Sequence, residues 1–253
     1  MSNTPNIYFV AGATRGIGLA IVAEIAAKDN TAIIYAGGRK PQDAPILSSL
    51  ASKYPGRIVP IKYVAGDEEG NKAIANEIFA KHGRVDTLIA NAGIANFAGK
   101  IHAVPVKSFE DHFSVNVLGP IVLFQAFRDL LKASAQPRFI AITSTAGSIE
   151  LIPTLNSFDL GPYGTSKAAL NWVIRKIHFE NDWLIAYPQC PGSVDTDMAR
   201  AAMDDPTVYQ EMLEKHIRQP DVVASMLFNI FSASTREKDG GQFHSVEGGI
   251  HPW

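Results

Sequence analysis

The sequence predicts an α/β chain: one parallel β-sheet covered by helices on both faces, in a single domain. Three observations carry that expectation. Short apolar β-rich runs alternate with helical patterns along the chain, the order that builds βαβ units. Those runs are apolar on consecutive residues, as strands buried on both faces are. The first run also passes directly into a glycine-rich turn that opens a helix.

The elements follow in order. Residues 7–12, IYFVAG, form the first strand, and Ile17, Ile21 and Ile25 mark one face of the helix after it. Residues 31–38, TAIIYAGG, give a second strand and 42–54 a second helix. RIVPIKYV (57–64) and VDTLIANAG (85–93) bracket a helix over 68–82, whose acidic start DEE (67–69) suits the helix dipole. RFIAITS (138–144) and LIAYPQCPG (184–192) continue the series. Segment 119–131, GPIVLFQAFRDLL, is apolar nearly all round, so it is covered either by the sheet and its helices or by a second subunit. No repeat, low-complexity segment or Gly/Pro/Ser-rich linker divides the 253 residues.

Composition narrows the function classes. A net charge of −2 gives no general attraction to nucleic acid or to an anionic membrane. Cys190 is the only cysteine, so no internal disulfide forms, which suits a reducing compartment. The start MSNTPNIYFVAGATRGIG lacks a basic region followed by an apolar signal segment, and no apolar run reaches the about 18–20 residues of a membrane span. A cytoplasmic protein is the expectation. His82, His102, His112 and His178 lack metal-ligand spacing with acids or cysteine, so no metal site is expected.

The turn AGATRGIGLA places Gly12, Gly16 and Gly18 between strand and helix. Glycines there let the backbone approach a pyrophosphate, and the helix N-terminus offers N–H donors to it. A dinucleotide that carries no 2′-phosphate is usually held by an acid at the end of the second strand. Here that place is Gly38, followed by Arg39, with Arg15 in the glycine turn. A carboxylate would repel a 2′-phosphate and two guanidiniums would clamp it, so the expected cofactor is NADP(H).

Downstream, Tyr163 and Lys167 lie one helical turn apart, and Leu170 and Ile174 extend the same stripe. A lysine on an apolar stripe either snorkels to water or serves chemistry. Ser144 stands upstream in the cluster ITSTAG, with Thr143 and Thr145 on the opposite strand face.

The ordered set AGATRGIG (11–18), ANAG (90–93), SVN (114–116), Ser144, YGTSK (163–167) and PGSVDTDM (191–198) resembles the short-chain dehydrogenase/reductase family over nearly the whole chain. VIRKIHFENDWLIAY and GQFHSVEGGIHPW are similar to its fungal norsolorinic acid reductase-like ketoreductases. The resemblance implies a Rossmann-type doubly wound sheet of seven parallel strands and hydride transfer between a nicotinamide and a carbonyl or alcohol. It implies a catalytic set of Asn116, Ser144, Tyr163 and Lys167. For the cofactor it implies Gly12, Gly16, Ile17 and Gly18 at the pyrophosphate, Asn91 and Gly93 beside it, and Pro191, Val194 and Thr196 at the nicotinamide. Ala11 and Ala90 depart from the usual Thr and Asn, and Val64 stands where an Asp usually meets adenine, with Asp67 three residues later. The Ser144-to-Tyr163 connection is longer than usual.

In carbonyl reduction, charge develops on oxygen as a proton is needed there. Tyr163 is the expected acid, and Lys167 is expected to lower its pKa and to reach the nicotinamide ribose. Ser144 is expected to donate to the substrate oxygen, and Asn116 to hold a water leading from Lys167 to solvent. Substrate should meet segments 94–105, 148–162 and a lid at 193–219, beyond the carboxyl ends of the strands. Ile149, Leu151, Ile152, Leu155 and Phe158, with Met198, Met203 and Met212, suit a bulky, aromatic or polyketide-like carbonyl. The expectation is thus an NADPH-dependent ketoreductase acting on a small-molecule carbonyl, as a homo-oligomeric dimer or tetramer. An alcohol dehydrogenase working oxidatively and an NADP(H)-binding sensor are the alternatives. Arg39→Asp should lower the NADPH/NADH ratio of kcat/KM by about tenfold or more, the worth of one charge-assisted contact; steady-state kinetics with both cofactors checks it.

Overall fold

The computed structural model describes residues 4–96, 99–155, 160–201 and 217–253. Its seven strands form one parallel sheet in the order β3-β2-β1-β4-β5-β6-β7. The strands are β1 (Ile7–Ala11), β2 (Ile33–Gly38), β3 (Ile58–Lys62), β4 (Thr87–Ala90), β5 (Arg138–Ile142), β6 (Ile185–Cys190) and β7 (His244–Ser245). The main helices between them are α1 (Gly16–Lys28), α2 (Pro45–Lys53), α3 (Glu68–His82), α4 (Val106–Phe113), α5 (Gly119–Lys132), α6 (Ile152–Leu155), α7 (Gly161–Glu180), α8 (Asp197–Ala201), α9 (Pro220–Ala233) and α10 (Arg236–Asp239). This is the doubly wound architecture that the sequence predicts.

The consecutive apolar residues of each strand serve two cores. On one face, Ile7, Phe9 and Ala11 of β1 pack with Ile74 and Ile78 of α3, Leu123 and Phe127 of α5, and Leu170 and Ile174 of α7. On the other, Val10 packs with Ile21 and Ile25 of α1, Leu47 of α2 and Leu227 and Phe231 of α9. Each such side chain contributes about 1.5–3 kcal/mol when fully buried. Segment 119–131 is thereby resolved in favour of the sheet and its helices on its main face: Leu123, Phe127 and Leu131 are fully buried within this chain.

The ends of α3 follow its sequence closely. Asp67 accepts from the Gly70 N–H at 3.0 Å as N-cap, and Gly83 closes the helix at φ +71°. Asp67 is therefore a capping residue, and Val64, not Asp67, borders the cleft described below. One expectation is corrected. Residues Val106–Lys132 form a continuous 27-residue helical stretch, through a π turn at Ser114–Leu118, that is long and apolar enough to cross a membrane. Polar residues interrupt the run in sequence, and half of its most apolar stretch is buried inside the fold, so it is a core helix here.

The chain leaves β1 toward β3 and returns to β4 on the other side of β1. That reversal opens a crevice between the carboxyl ends of β1 and β4, the place where such sheets bind ligands. The Phe127 ring, 4.8 Å from that of Phe9, holds α5 to the central strand. Phe127→Ala should cost about 3–5 kcal/mol of stability, measured as a lower urea midpoint with an unchanged slope.

Candidate active site

At the crevice, glycines remove side chains that the backbone has no room for. Gly12 adopts φ +74°, and a Cβ there would lie 2.8 Å from the Ala92 Cα. A Cβ on Gly18 would lie 2.2 Å from the Gly12 carbonyl oxygen and 2.5 Å from Asn91 Nδ2. Asn91 donates to the carbonyls of Ala11 (3.2 Å) and Gly12 (3.0 Å), fastening the end of β4 to the turn after β1. The first turn of α1 has neither a side-chain cap nor an acidic residue, so its N–H groups face the turn without competition from a carboxylate.

This cradle forms one end of a cleft of about 400 Å³. Gly12, Arg15, Gly16, Ile17, Arg39, Asn91, Gly93, Tyr163, Lys167, Pro191 and Thr196 all line it. Gly18 supports the turn from behind. Val194 is the exception among the expected cofactor residues: its side chain is buried in the second core, so only its main chain is near the site. Gly38 also borders the cleft, and a Cβ there would lie 2.3 Å from Thr14 Cγ2, so Thr14 occupies the space that an acidic side chain needs. Arg15 reaches across the mouth to Asp197 at 3.6 Å; both side chains are largely exposed, so the pair is weak and open to exchange with a phosphate. The donor set fits NADP(H): an uncapped helix start at the pyrophosphate, and two guanidiniums at the end of β2 and the glycine turn.

The opposite wall brings strand and helix together. Ser144 follows β5; its Oγ accepts from the Ala146 N–H at 3.1 Å, and the hydroxyl lies near enough to the Tyr163 phenol to favour its ionised form slightly. Lys167 Nζ lies 5.6 Å from the Tyr163 ring centroid and donates to the Ile142 carbonyl at 2.9 Å. Lys167 is 4% exposed, which excludes snorkelling to water. Asn116 sits in the π turn with its carboxamide wholly engaged. Its oxygen accepts from Ile94 N–H (2.8 Å), and its nitrogen donates to Ile94 O (2.9 Å) and Ser166 Oγ (2.9 Å). The flanking hydroxyls are also committed: Thr143 donates to Asn171 at 2.7 Å, and Thr145 bonds Cys190.

Residues 6–207 match the family described as short chain dehydrogenase. This chain is a short-chain dehydrogenase. It shares 31% identity with an uncharacterized oxidoreductase of Schizosaccharomyces pombe, the alignment covering all of both chains. With the norsolorinic acid ketoreductase of Dothistroma septosporum it shares 29%, over 97% of this chain and 92% of the relative. Its fold matches the NADPH-bound carbonyl reductase from chicken fatty liver with a TM-score of 0.87 and 29% identity, over 99% of this chain and 95% of that one.

Electrostatics in this short-chain dehydrogenase are governed by burial. Burial pushes the Tyr163 phenol up to about 12 and the Lys167 ammonium down to about 8. The expected lowering of the Tyr163 pKa by Lys167 is thus reversed in direction. The lysine charge lies over the ring, bound to a carbonyl, while loss of water around the phenolate dominates. Burial also pushes the Cys190 thiol up, leaving it a neutral neighbour of the pair.

Two features of the site escape a reading of motifs. His112 is buried, its Nδ1 2.7 Å from the Ser108 carbonyl, and its ring lies edge-on to Tyr163 with centroids 6.5 Å apart. Its place four residues before Asn116 is the only sequence signal. Gly147 and Gly164 let the turn after Ser144 touch α7: a Cβ on either would lie within 2.7 Å of backbone across the contact. Among the segments expected to meet substrate, Gly99 pairs with Leu160, joining 94–105 to 148–162, and Val194 pairs with Arg218, joining the two ends of 193–219. Ile149, Ile152 and Met198 are exposed, and Met198 lines the cleft. Phe158, Met203 and Met212 lie outside the described residues.

Lys167 has a testable linkage. Its folded pKa, about 8, lies below the ordinary 10.5, so between these values the unfolded chain binds more protons. Stability should therefore rise with pH across that window, as the penalty for burying the charge is relieved. Wild type should gain melting temperature relative to Lys167→Met between about pH 8 and 10.5, followed by thermal scans at matched ionic strength.

Proposed function

We propose that this chain is a cytoplasmic NADPH-dependent ketoreductase that reduces a bulky, aromatic or polyketide-like ketone to an alcohol. The observation that carries it is the pairing of two walls in one cleft: the glycine cradle with Arg15 and Arg39, and Tyr163 with Lys167, with Ser144 near the phenol. The relatives point the same way, a norsolorinic acid ketoreductase and an NADPH-bound carbonyl reductase. NADPH, when bound, supplies the hydride.

The chain's own residues take the following parts. Ser144 donates a hydrogen bond to the carbonyl oxygen, orienting it and stabilising the charge that develops there. Tyr163 gives that oxygen its proton. A phenol pushed up to about 12 is fully protonated at neutral pH, which favours reduction over the oxidative direction. Lys167 stabilises the phenolate left behind, and its remaining N–H groups would hold the nicotinamide ribose. Since the Asn116 carboxamide is fully engaged, a relay water between Lys167 and solvent falls to its main-chain oxygen. Pro191 and Thr196, which line the cleft, would hold the nicotinamide end.

Met198 lines the cleft, and Ile149 and Ile152 expose apolar surface on the connection between Ser144 and Tyr163, which suits a large apolar carbonyl more than a small charged one. A single domain with its lid at 193–219 belongs to the same proposal. So does a homo-oligomer formed through the flank of α4, α5 and α7, where Phe113, Leu118, Trp172 and Phe179 are exposed; a monomer mass by light scattering would remove that part. Tyr163→Phe should lower kcat for aryl ketones by about 10²–10⁴-fold, the usual worth of a positioned acid, while NADPH still binds. NADPH consumption and cofactor fluorescence measure the two. Tight NADPH binding with no turnover of any aromatic ketone by the wild type would instead identify a sensor.

A further inference from the structure

The connection from Ser144 to Tyr163 is tied down at three described points. Ser148 Oγ accepts from the Leu151 N–H at 3.2 Å, Leu160 pairs with Gly99, and the Glu150 N–H donates to the Trp253 main-chain oxygen at 2.9 Å. The third tie comes from the far end of the sequence. After β7 the chain turns back on itself: Ser245 N–H donates to Gly249 O, His251 N–H donates to Phe243 O, and Ile250 pairs antiparallel with His244. That return delivers the Trp253 ring onto Phe243, stacked at 5.8 Å and 29°. The Arg175 guanidinium covers the indole at 4.5 Å from its centroid. Phe243 is fully buried, and Arg175 belongs to α7, the helix of Tyr163 and Lys167.

One residue thus joins the sheet edge, the catalytic helix and the substrate-side connection. We infer that Trp253 is a positioning residue for substrate: it fixes the 148–155 limb against α7 and so determines how bulky carbonyls are seated before Tyr163. The limb carries Ile149 and Ile152, which are 70% and 56% exposed and therefore free to meet an apolar substrate. A limb released from Trp253 leaves Ser144, which precedes it at the end of β5, in place, so the chemistry persists while the wall that contacts a large substrate loses its position. A small carbonyl has no need of that wall. The substrate part of this inference rests on the ketoreductase reading; the structural part does not.

The test compares the full chain with Trp253→Ala, Trp253→Phe and Arg175→Gln. NADPH is the reductant, 2-acetonaphthone the bulky ketone and 2,3-butanedione the small carbonyl. Hydrogen–deuterium exchange of the 149–155 amides is followed in parallel. Trp253→Ala should raise KM for 2-acetonaphthone by about five- to tenfold, leave kcat/KM for 2,3-butanedione and KM for NADPH within about twofold, and speed exchange at Glu150. Trp253→Phe, which keeps an aromatic face under Arg175, should stay near wild type. Equal losses on both carbonyls, or unchanged exchange, would overturn the inference. If Trp253→Ala fails to fold, Arg175→Gln carries the comparison, with shifts in the same direction expected and their absence overturning it. If the wild type consumes no NADPH with either carbonyl, the ketoreductase reading is what fails, and the exchange difference alone decides the positioning role.

Discussion

Everything in the catalytic wall depends on one backbone-to-backbone contact. The turn after Ser144 lies against α7, and side chains are missing where the two surfaces meet. A Cβ on Gly147 would sit 2.6 Å from the Lys167 carbonyl carbon, and one on Gly164 would sit 2.7 Å from the Ala146 oxygen. No rotamer relieves such overlaps, because the atoms struck belong to main chain. The contact sets the distance from a strand-end hydroxyl to a helix-borne phenol and ammonium. It also seals Lys167 between β5 and α7, where the Ile142 carbonyl becomes its partner.

That sealing has an energetic consequence which links fold to chemistry. A lysine on the inner stripe of α7 loses its water, and its pKa falls to about 8. The same desolvation makes the neighbouring phenol a reluctant acid at about 12. The lysine's displacement costs stability at neutral pH, whereas the phenol's costs none there, since it is protonated in the folded and unfolded chain alike. In the proposed reduction the phenol stays protonated until charge develops on an adjacent oxygen, with Lys167 beside its ring. The fold tolerates the pair because two large apolar cores, one on each sheet face, supply the bulk of its stability.

Much of this was legible in one dimension, and the reason is local. Strands buried on both faces write continuous apolar runs, and the helix from Glu68 to His82 is bounded by its own Asp67 cap and Gly83 stop. The glycine turn could be read because strand, turn and helix are contiguous. What stayed hidden is nonlocal or too short. β7 has only two residues, too few for any period. The joining of α4 to α5 hides behind polar residues, among them His112 and Asn116, which the fold buries. The engagement of Asn116 with Ile94 and Ser166 requires three separate segments to converge. The pKa of Tyr163 failed to follow spacing, since a lysine one turn away says nothing about how much water remains.

The cleft also couples its two ends through charge. Arg15 belongs to the cradle and Asp197 to α8, where Arg200 pairs with Asp197 at 2.9 Å and also with Asp195. Asp195 in turn meets Arg218, its N–H donating to the Arg218 carbonyl. Anything anionic that engages Arg15 therefore competes with the Asp197 carboxylate. Exposed pairs of this kind are worth about 0–1 kcal/mol, so the exchange costs little. A phosphate on Arg15 would leave the Asp197 carboxylate to Arg200, and the direction follows from charge alone.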